Sequence, residues 1–353
     1  MSNRAFALPP DLGSGGPFAQ FLAQLAAADR FSGSVLVAQA ATPIFAVAHG
    51  WADQAGQRRN TLDTKFNIGS LNKMFTAVAI AQLAEHGRLA FADTIGQYLP
   101  GWPADVAAQV TIHQLLTHTS GLRDYLDDPQ YQATHATLCT VADLLPFVAG
   151  QPLAFPPGSQ WAYSNAGYVV LGAIVETVAG QSYYDYVRRQ IYAPAGMRDS
   201  DSYGRDEAIP NLARGYSKGQ DTADWLAGRG SPAGGGYATA GDLLQFSLAL
   251  RGHRLLDAAM TATLLAGKVA TPLPTAPGQP GVQYAYGFGD QRVNGVRIVG
   301  HNGGGPGISA WFDMYPEQDL TFVVLGNCDE AARPVTRQAR QILTTALSPD
   351  SPS

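Results

Sequence analysis

Strand-like runs occur at both ends of this chain, and a long helical region separates them. Near the start, SVLVAQA (34–40) and PIFAVAHG (43–50) are apolar runs with a short turn between them. Two strands alone are only marginally stable in water, so strands from both chain ends must join one sheet. Short turns between neighbouring strands predict that this sheet is mostly antiparallel. The later runs are QYAYGFGDQ (283–291), VRIVGH (296–301), ISAWFDMY (308–315) and LTFVVLGN (320–327).

The rest of the chain predicts helices packed around this sheet. Residues 17–29 have apolar positions three and four apart, which is typical of an amphipathic helix, and a last helix is expected over roughly 332–347. The expected fold class is α+β, with helices flanking the sheet and a helical lobe beside it. The predicted division is a sheet domain from 17–66 and 266–347, a mostly helical domain over 67–265, and a loose N-terminal arm over 1–16.

Composition excludes several classes of function. The net charge is −5 with acidic and basic residues interspersed, so no basic stripe is available for nucleic acid. No apolar run approaches the ~20 residues that cross a bilayer. Residues 1–16 lack a signal-peptide pattern, which predicts a cytoplasmic protein if residue 1 is the natural start, and a periplasmic or secreted one if a signal was removed. Cys139 and Cys328 lack metal-ligand spacing and are expected to be free structural thiols.

The first chemistry-bearing motif is Ser70-Leu71-Asn72-Lys73, which opens the apolar run SLNKMFTAVAIAQLAEHG. Residues three apart share a helical face, so the Lys73 amine can reach the Ser70 hydroxyl. A lysine buried beside this run would have its charged form disfavoured, which suits a proton acceptor. The alternative is a helix-capping serine followed by a surface lysine.

The second motif is Tyr163-Ser164-Asn165, where a PPG-containing loop meets a helix-forming segment. A tyrosine at such a junction can point into a cleft and pass protons if a nearby cation lowers its pKa. Asn165 offers both a donor and an acceptor to an amide or ester. The alternative is that Asn165 caps the helix and Tyr163 packs on the core.

The third motif is His301-Asn302-Gly303-Gly304, directly after the strand-like run VRIVG. Glycines there let a substrate approach the backbone, whose free N–H groups can face a developing oxyanion. His301 at a strand end can orient the substrate or assist proton transfer. A glycine-rich hairpin with an incidental histidine is the alternative. The Pro-rich loop 269–282 is also placed to border a site.

In this order the three motifs resemble the serine β-lactamase and penicillin-binding-protein superfamily, specifically its class C-like branch. That branch includes D-alanyl-D-alanine carboxypeptidases, D-aminopeptidases and family VIII carboxylesterases. The resemblance covers roughly residues 20–345. It is reinforced by IHQLLTHTSGL (112–122), PPGSQWAYSNAGYVVLG (156–172), GGGYATAGDLLQF (234–246) and GHNGGGPGISA (300–310).

The resemblance implies a β-lactamase/transpeptidase-like fold, Ser70 as nucleophile, Lys73 as its partner and Tyr163 as the proton relay. It implies an oxyanion hole from the backbone N–H groups of Ser70 and Gly304. The mechanism that the resemblance implies uses no metal or organic cofactor. The implied substrate contacts are Asn165, His301, Asn302 and Gly303.

His301 and Asn302 depart from the β-lactamases of this branch, which usually carry lysine at the first of these positions. This favours a carboxylesterase for small esters over efficient β-lactam hydrolysis. The alternatives are a D-alanyl-D-alanine carboxypeptidase or D-aminopeptidase, a weak β-lactamase, or a catalytically lapsed homologue that binds a ligand. The expected partner is a small ester, amide or β-lactam substrate.

Two further candidates are given structural interpretations. Gly215-Tyr216-Ser217-Lys218-Gly219 matches the nucleophile elbow of α/β-hydrolases, but that elbow needs a buried strand before it and a helix after it. The flanks here are polar, so Ser217 is expected in a surface turn. His118, in LLTHTSGL, is expected to be a structural, hydrogen-bonded histidine rather than a general base.

Overall fold

Strands from both chain ends form one eight-stranded sheet in the computed structural model, which describes residues 9–13, 15–273 and 281–348. Every neighbouring pair is antiparallel, which confirms the predicted α+β fold. Across the sheet the strands are Thr42–His49, Gly33–Gln39, Leu320–Gly326, Ile308–Tyr315, Val296–Gly305, Gly289–Val293, Gln283–Tyr284 and Val269–Ala270.

The strands Gly33–Gln39 and Leu320–Gly326, from opposite ends of the chain, pair as the second and third strands of the sheet, with Gly33 opposite Gly326 and Gln39 opposite Leu320. Successive side chains of a strand point to opposite faces, so the last strand contributes to two cores. Phe322 packs into one core and Val323 into the other. Because both faces are covered, Leu320–Gly326 is buried along its whole length and is apolar almost throughout.

The run 283–291 does not form the single strand expected from its composition. It splits into Gln283–Tyr284 and Gly289–Val293, which pair with each other through a tight turn. Gly287 in this turn has φ +76°, and a Cβ there would lie 2.8 Å from the Lys73 carbonyl oxygen. The turn therefore needs glycine both for its backbone conformation and for its close approach to the helix that carries Lys73.

Helices cover both faces of the sheet and build the region beside it. Outside the main sheet, short strand pairs join Trp51–Asp53 to Arg58–Arg59, Phe66–Gly69 to Gly236–Ala238, and Tyr216–Ser217 to Gln220–Asp221. The α-helices are Pro17–Ala27, Asn72–Glu85, Ala104–Gln109, Ile112–Leu116, Pro129–Thr134, Val141–Ala149, Asn165–Ala179, Tyr183–Val187, Ala193–Ala195, Ala240–Arg251, Ala258–Leu265 and Ala332–Leu347. Single 3-10 turns occur at Pro10–Leu12, Ile95–Gln97, His135–Thr137, Ala223–Trp225 and Pro316–Gln318, and a π-turn at Arg188–Tyr192.

The two cores lie on opposite faces of the sheet. The terminal helices Pro17–Ala27 and Ala332–Leu347 cover one face, and their apolar stripes bury residues such as Leu22 and Leu343. The helix Asn72–Glu85 belongs to the other core, and every one of its residues from Asn72 to Leu83 is buried. This confirms the central helix that its apolar sequence predicts.

Part of the segment expected to be a loose arm is ordered. Pro10–Leu12 forms a 3-10 turn, and the Leu12 side chain is buried against the terminal helices. Residues 1–8 and 14 of that arm, and 274–280 of the Pro-rich loop, lie outside the described residues. Among the helices that are described, none is both long and apolar enough to span a bilayer.

Candidate active site

Ser70 lies in the turn between the strand Phe66–Gly69 and the buried helix that begins at Asn72. It was expected in the first helical turn, and it precedes that turn by two residues. The Lys73 N–H donates to the Ser70 carbonyl oxygen at 3.0 Å, so the chain is already turning at the serine. Gly69 has φ +51°, and a Cβ on it would come within 3.0 Å of the Gly304 nitrogen. Glycine at 69 therefore lets the serine turn lie against the third motif.

The Lys73 side chain is fully buried and bonded at its tip to three groups. Its Nζ donates to Ser70 Oγ at 3.2 Å, Asn165 Oδ1 at 2.7 Å and the Ala233 carbonyl oxygen at 2.5 Å. Burial lowers the pKa of the amine from 10.5 to about 7, against the opposing charge of Asp124. A neutral amine keeps two donors for Asn165 and Ala233 and gains a lone pair directed at the serine hydroxyl. Lys73 can therefore accept the Ser70 proton near neutral pH.

Tyr163 is a hydrogen-bond partner of the Ser70 side chain, and Lys73 Nζ lies 4.7 Å from the centre of its ring. Burial raises the pKa of the phenol, the Ser70 hydrogen bond partly opposes this, and the charge of Asp124 adds to it. The sequence-based interpretation required a lowered pKa, so the shift is opposite to that expectation. As a residue Tyr163 is 38% exposed, which moderates the shift without changing its sign. The phenol therefore stays protonated and can donate.

Asn165 connects Lys73 to a carboxylate that the sequence motifs do not include. Its Oδ1 accepts from Lys73, and its Nδ2 donates to Asp124 Oδ2 at 2.7 Å. Ser164, and not Asn165, caps the following helix, because its hydroxyl accepts from the Gly167 N–H. Asp124 is exposed and follows LLTHTSGL by two residues; that proximity is the only sequence signal that points to it.

In the third motif, the side chains of His301 and Asn302 point to opposite faces of the sheet. His301 is buried, with Nδ1 donating to the Asn302 carbonyl oxygen at 2.6 Å and Nε2 accepting from the Tyr284 hydroxyl at 2.9 Å. Burial and the nearby Lys73 charge lower its pKa to about 3, so the ring is neutral. Asn302 is exposed and pairs with Trp311. Its side chain therefore points to the opposite face from His301.

Gly303 and Gly304 bring the end of their strand against the serine turn. A Cβ on Gly303 would lie 2.0 Å from the Ile68 carbonyl oxygen and 2.9 Å from the Ser70 nitrogen. Gly304 is exposed and lines the same cleft as Ser70 and Asn165. The backbone amides of Ser70 and Gly304 thus belong to adjoining segments at one edge of the cleft.

His118 supports the second motif from behind. Its Nδ1 accepts from the Ser164 N–H at 3.1 Å, and its ring lies 4.3 Å from the Tyr163 ring, centre to centre. Burial, followed by the charges of Lys73 and His301, holds its pKa well below the usual range. These contacts agree with the structural role expected for this histidine.

The remaining candidates lie apart from these groups. Ser217 sits in a two-residue hairpin, where its hydroxyl donates to Asp329 at 2.6 Å. Cys139 and Cys328 are both free thiols, as expected.

The cleft at Ser70 has a volume of about 650 Å³. Its aromatic and apolar lining includes Tyr125, Tyr131, Leu144 and Ile308, and the loop 229–235 forms part of its wall. Two arginines, Arg205 and Arg229, also line it. A volume of this size is typical of sites for small-molecule ligands.

Comparisons with known proteins place the chain in a known family. The Beta-lactamase family profile matches residues 18–347. Penicillin-binding protein 4* of Bacillus subtilis (strain 168) is 30% identical over 326 residues, which are 85% of this chain and 69% of that protein. Esterase EstB of Burkholderia gladioli is 35% identical over 184 residues, 48% of this chain and 47% of that protein.

A solved structure shows the same fold over almost the whole chain. The penicillin-binding protein from Bacillus halodurans superposes with a TM-score of 0.83 at 32% identity, covering 91% of this chain and 98% of that one. Together with the family match, this similarity establishes both fold and class of enzyme. The chain belongs to the beta-lactamase family, and it is a serine hydrolase of the beta-lactamase/transpeptidase-like superfamily.

Proposed function

We propose that this chain is a carboxylesterase for small esters and that it works through an acyl-enzyme on Ser70. The observation that carries the proposal is the state of His301. Its ring is buried and both ring nitrogens are bonded within the protein. His301 therefore offers neither a cation nor a free ring N–H to the carboxylate of a β-lactam, and the Asn302 side chain points to the opposite face of the sheet. A simple ester needs only the nucleophile and the oxyanion donors.

In the proposed acylation step, Ser70 Oγ attacks the ester carbonyl carbon while its proton moves to the neutral Lys73 amine. The carbonyl oxygen becomes an oxyanion between the N–H groups of Ser70 and Gly304. Removing one such donor costs about 3–4 kcal/mol in comparable enzymes. The carbon–oxygen bond to the alcohol then breaks. Tyr163 gives its proton to the leaving alkoxide and regains one from the Lys73 ammonium.

Deacylation reverses the proton path. A water molecule attacks the acyl carbonyl, and its proton passes to the Lys73 and Tyr163 pair. The bond between the acyl carbon and Ser70 Oγ then breaks, and Oγ takes a proton back. Asn165 holds the Lys73 amine throughout, because its Oδ1 accepts from Nζ at 2.7 Å. His301 acts in this scheme as a positioning residue for the strand that carries Gly304.

Amide or peptide hydrolysis is the second candidate. It is favoured by the similarity to penicillin-binding proteins, which extends over far more of the chain than the similarity to the esterase. A peptidase with a D-alanyl-D-alanine or D-amino acid substrate would use the same nucleophile and proton path. It would differ in needing groups that recognise the peptide.

The test compares kcat/KM for 4-nitrophenyl butyrate, a chromogenic cephalosporin and a D-alanyl-D-alanine peptide. The expected order places the ester first by at least about 100-fold. His301→Lys should raise the cephalosporin-to-ester ratio, because it restores a cation to the third motif. A wild-type protein that hydrolyses the cephalosporin or the peptide faster than every short ester would overturn the esterase proposal.

A further inference from the structure

Arg229, in the loop 229–235, lines the cleft that contains Ser70, and it has no acidic partner among the described residues. Arg229 Nε donates to the Ser202 carbonyl oxygen at 2.6 Å, and the guanidinium carbon lies 3.8 Å from the centre of the Tyr184 ring. These two contacts fix the plane of the guanidinium. Within the described ranges, its two terminal nitrogens have no hydrogen-bond acceptor, and no carboxylate lies within 4.0 Å. The two terminal nitrogens of Arg229 are therefore held in a fixed orientation and are available to a ligand.

The other arginine of the cleft is differently placed. Arg205 reaches the Leu226 carbonyl oxygen at 3.4 Å and the Asp224 carboxylate at 3.6 Å. Its charge is thus already matched by an acid of this chain. Arg229 has no such match, although a positive charge near an apolar cleft is poorly solvated unless an anion joins it. The difference between the two arginines points to an anion at Arg229.

The loop that carries Arg229 is also tied to the catalytic groups. Its Ala233 carbonyl oxygen accepts from Lys73 at 2.5 Å, and its Ser231 carbonyl oxygen accepts from Asn72 at 3.0 Å. A substrate group held by Arg229 would therefore be positioned relative to Ser70 by one short, internally bonded loop. Tyr125 and Tyr131 also line the cleft. Their rings offer apolar surface to the part of a substrate that would join a group at Arg229 to the carbonyl at Ser70.

We infer that Arg229 forms a carboxylate subsite in the catalytic cleft, which selects acyl substrates with a carboxylate remote from the scissile bond. Two terminal N–H groups of a guanidinium match the two oxygens of a carboxylate in a bidentate pair. The inference rests on the proposed esterase function and narrows its substrate class to esters of dicarboxylic acids. It assigns carboxylate recognition to a different segment from the His301 strand.

The experiment measures kcat/KM for 4-nitrophenyl hydrogen adipate and 4-nitrophenyl hexanoate, which have acyl chains of equal length. Wild type should prefer the adipate ester by about tenfold or more, as expected for a charge-assisted pair. Arg229→Gln should reduce that ratio to about 1, mainly through KM, and change the hexanoate rate less than about threefold. Arg229→Lys should keep part of the preference. Arg205→Gln is the matched control and should leave the ratio within about threefold of wild type.

A binding measurement separates this inference from the esterase proposal. Adipate is titrated calorimetrically into the Ser70→Ala variant, with and without Arg229→Gln. Adipate binding that requires Arg229, without hydrolysis of either ester, would support the subsite and overturn the esterase. Hydrolysis of both esters at a ratio near 1, unchanged by Arg229→Gln, would overturn the subsite alone. A similar loss of both rates together with a lower Tm in Arg229→Gln would also overturn it, because Arg229 would then be structural.

Discussion

Asp124 Oδ2 accepts hydrogen bonds from both the side-chain amide and the backbone N–H of Asn165, at 2.7 and 3.2 Å. This contact fixes the rotation of the amide, because Nδ2 must face the carboxylate. Oδ1 is then left facing Lys73 Nζ. The carboxylate also raises the pKa of Lys73 against the larger effect of burial. Asp124 thus orients the Asn165 amide and favours the charged form of Lys73.

Asp124→Asn should lower the pKa of Lys73, because it removes the charge that favours the ammonium form and can keep the hydrogen bond to Asn165. The acidic limb of the plot of kcat/KM against pH should therefore move to lower pH. The measurement uses an ester substrate, and the rate of uncatalysed hydrolysis is subtracted at each pH. Asp105→Asn removes an exposed acid on the helix Ala104–Gln109 and serves as control. An unmoved limb in Asp124→Asn would show that the carboxylate does not act on the lysine.

In the wild-type enzyme, kcat/KM should rise with pH through a midpoint of about 7 and then level off. The sign follows from the proposed role of Lys73, in which the neutral amine accepts the proton, and from its pKa, which burial lowers to about 7. His118 and His301 face the same amine, but burial keeps the pKa of each far below 7, so neither titrates in this range. A profile that falls as pH rises from 6 to 8 would contradict this assignment.

Ser70→Ala should abolish turnover and the mass increase of an acyl-enzyme after mixing with ester. Its free energy of unfolding should change by no more than about 2 kcal/mol, because the hydrogen bonds of the Ser70 hydroxyl to Lys73 and Tyr163 are lost. Ser217→Ala is the matched control, since among the residues that the structure describes its hydroxyl is hydrogen-bonded to Asp329 alone. Acylation that survives in Ser70→Ala but not in Ser217→Ala would show that Ser70 is not the nucleophile.

Gly303→Ala should inactivate the enzyme and lower the free energy of unfolding by about 3 kcal/mol. The added Cβ would lie 2.0 Å from the Ile68 carbonyl oxygen, so the strand must move away from the Ser70 turn. Gly305→Ala is the control, because its nearest neighbour would be an Ile308 side-chain carbon at 3.5 Å. Thermal unfolding and ester hydrolysis measure the two effects, and equal behaviour of the two variants would contradict the close contact.

Local sequence determined most elements of this fold and the pairing of the proposed nucleophile, Ser70, with a lysine. The apolar runs near both termini required a common sheet, since neither group could be stable alone, and the structure joins them at Gly33–Gln39 and Leu320–Gly326. The three-residue spacing of Ser70 and Lys73 places both on one side of a turn whatever surrounds them. Such statements depend on covalent geometry and on the need to bury apolar surface.

Only the tertiary structure decided how the site groups are charged and which way they point. Asp124 reaches Asn165 across 41 positions of sequence, a contact that no local pattern encodes. Tyr163 has a raised pKa where a lowered one was expected, because burial outweighs its neighbours. His301 Nε2 is occupied because the chain reverses at Gly287 and brings the Tyr284 hydroxyl to it, whereas Nδ1 bonds the carbonyl oxygen of the adjacent Asn302. Desolvation and hydrogen-bond direction depend on every group packed around a side chain, and packing joins residues that the sequence keeps far apart.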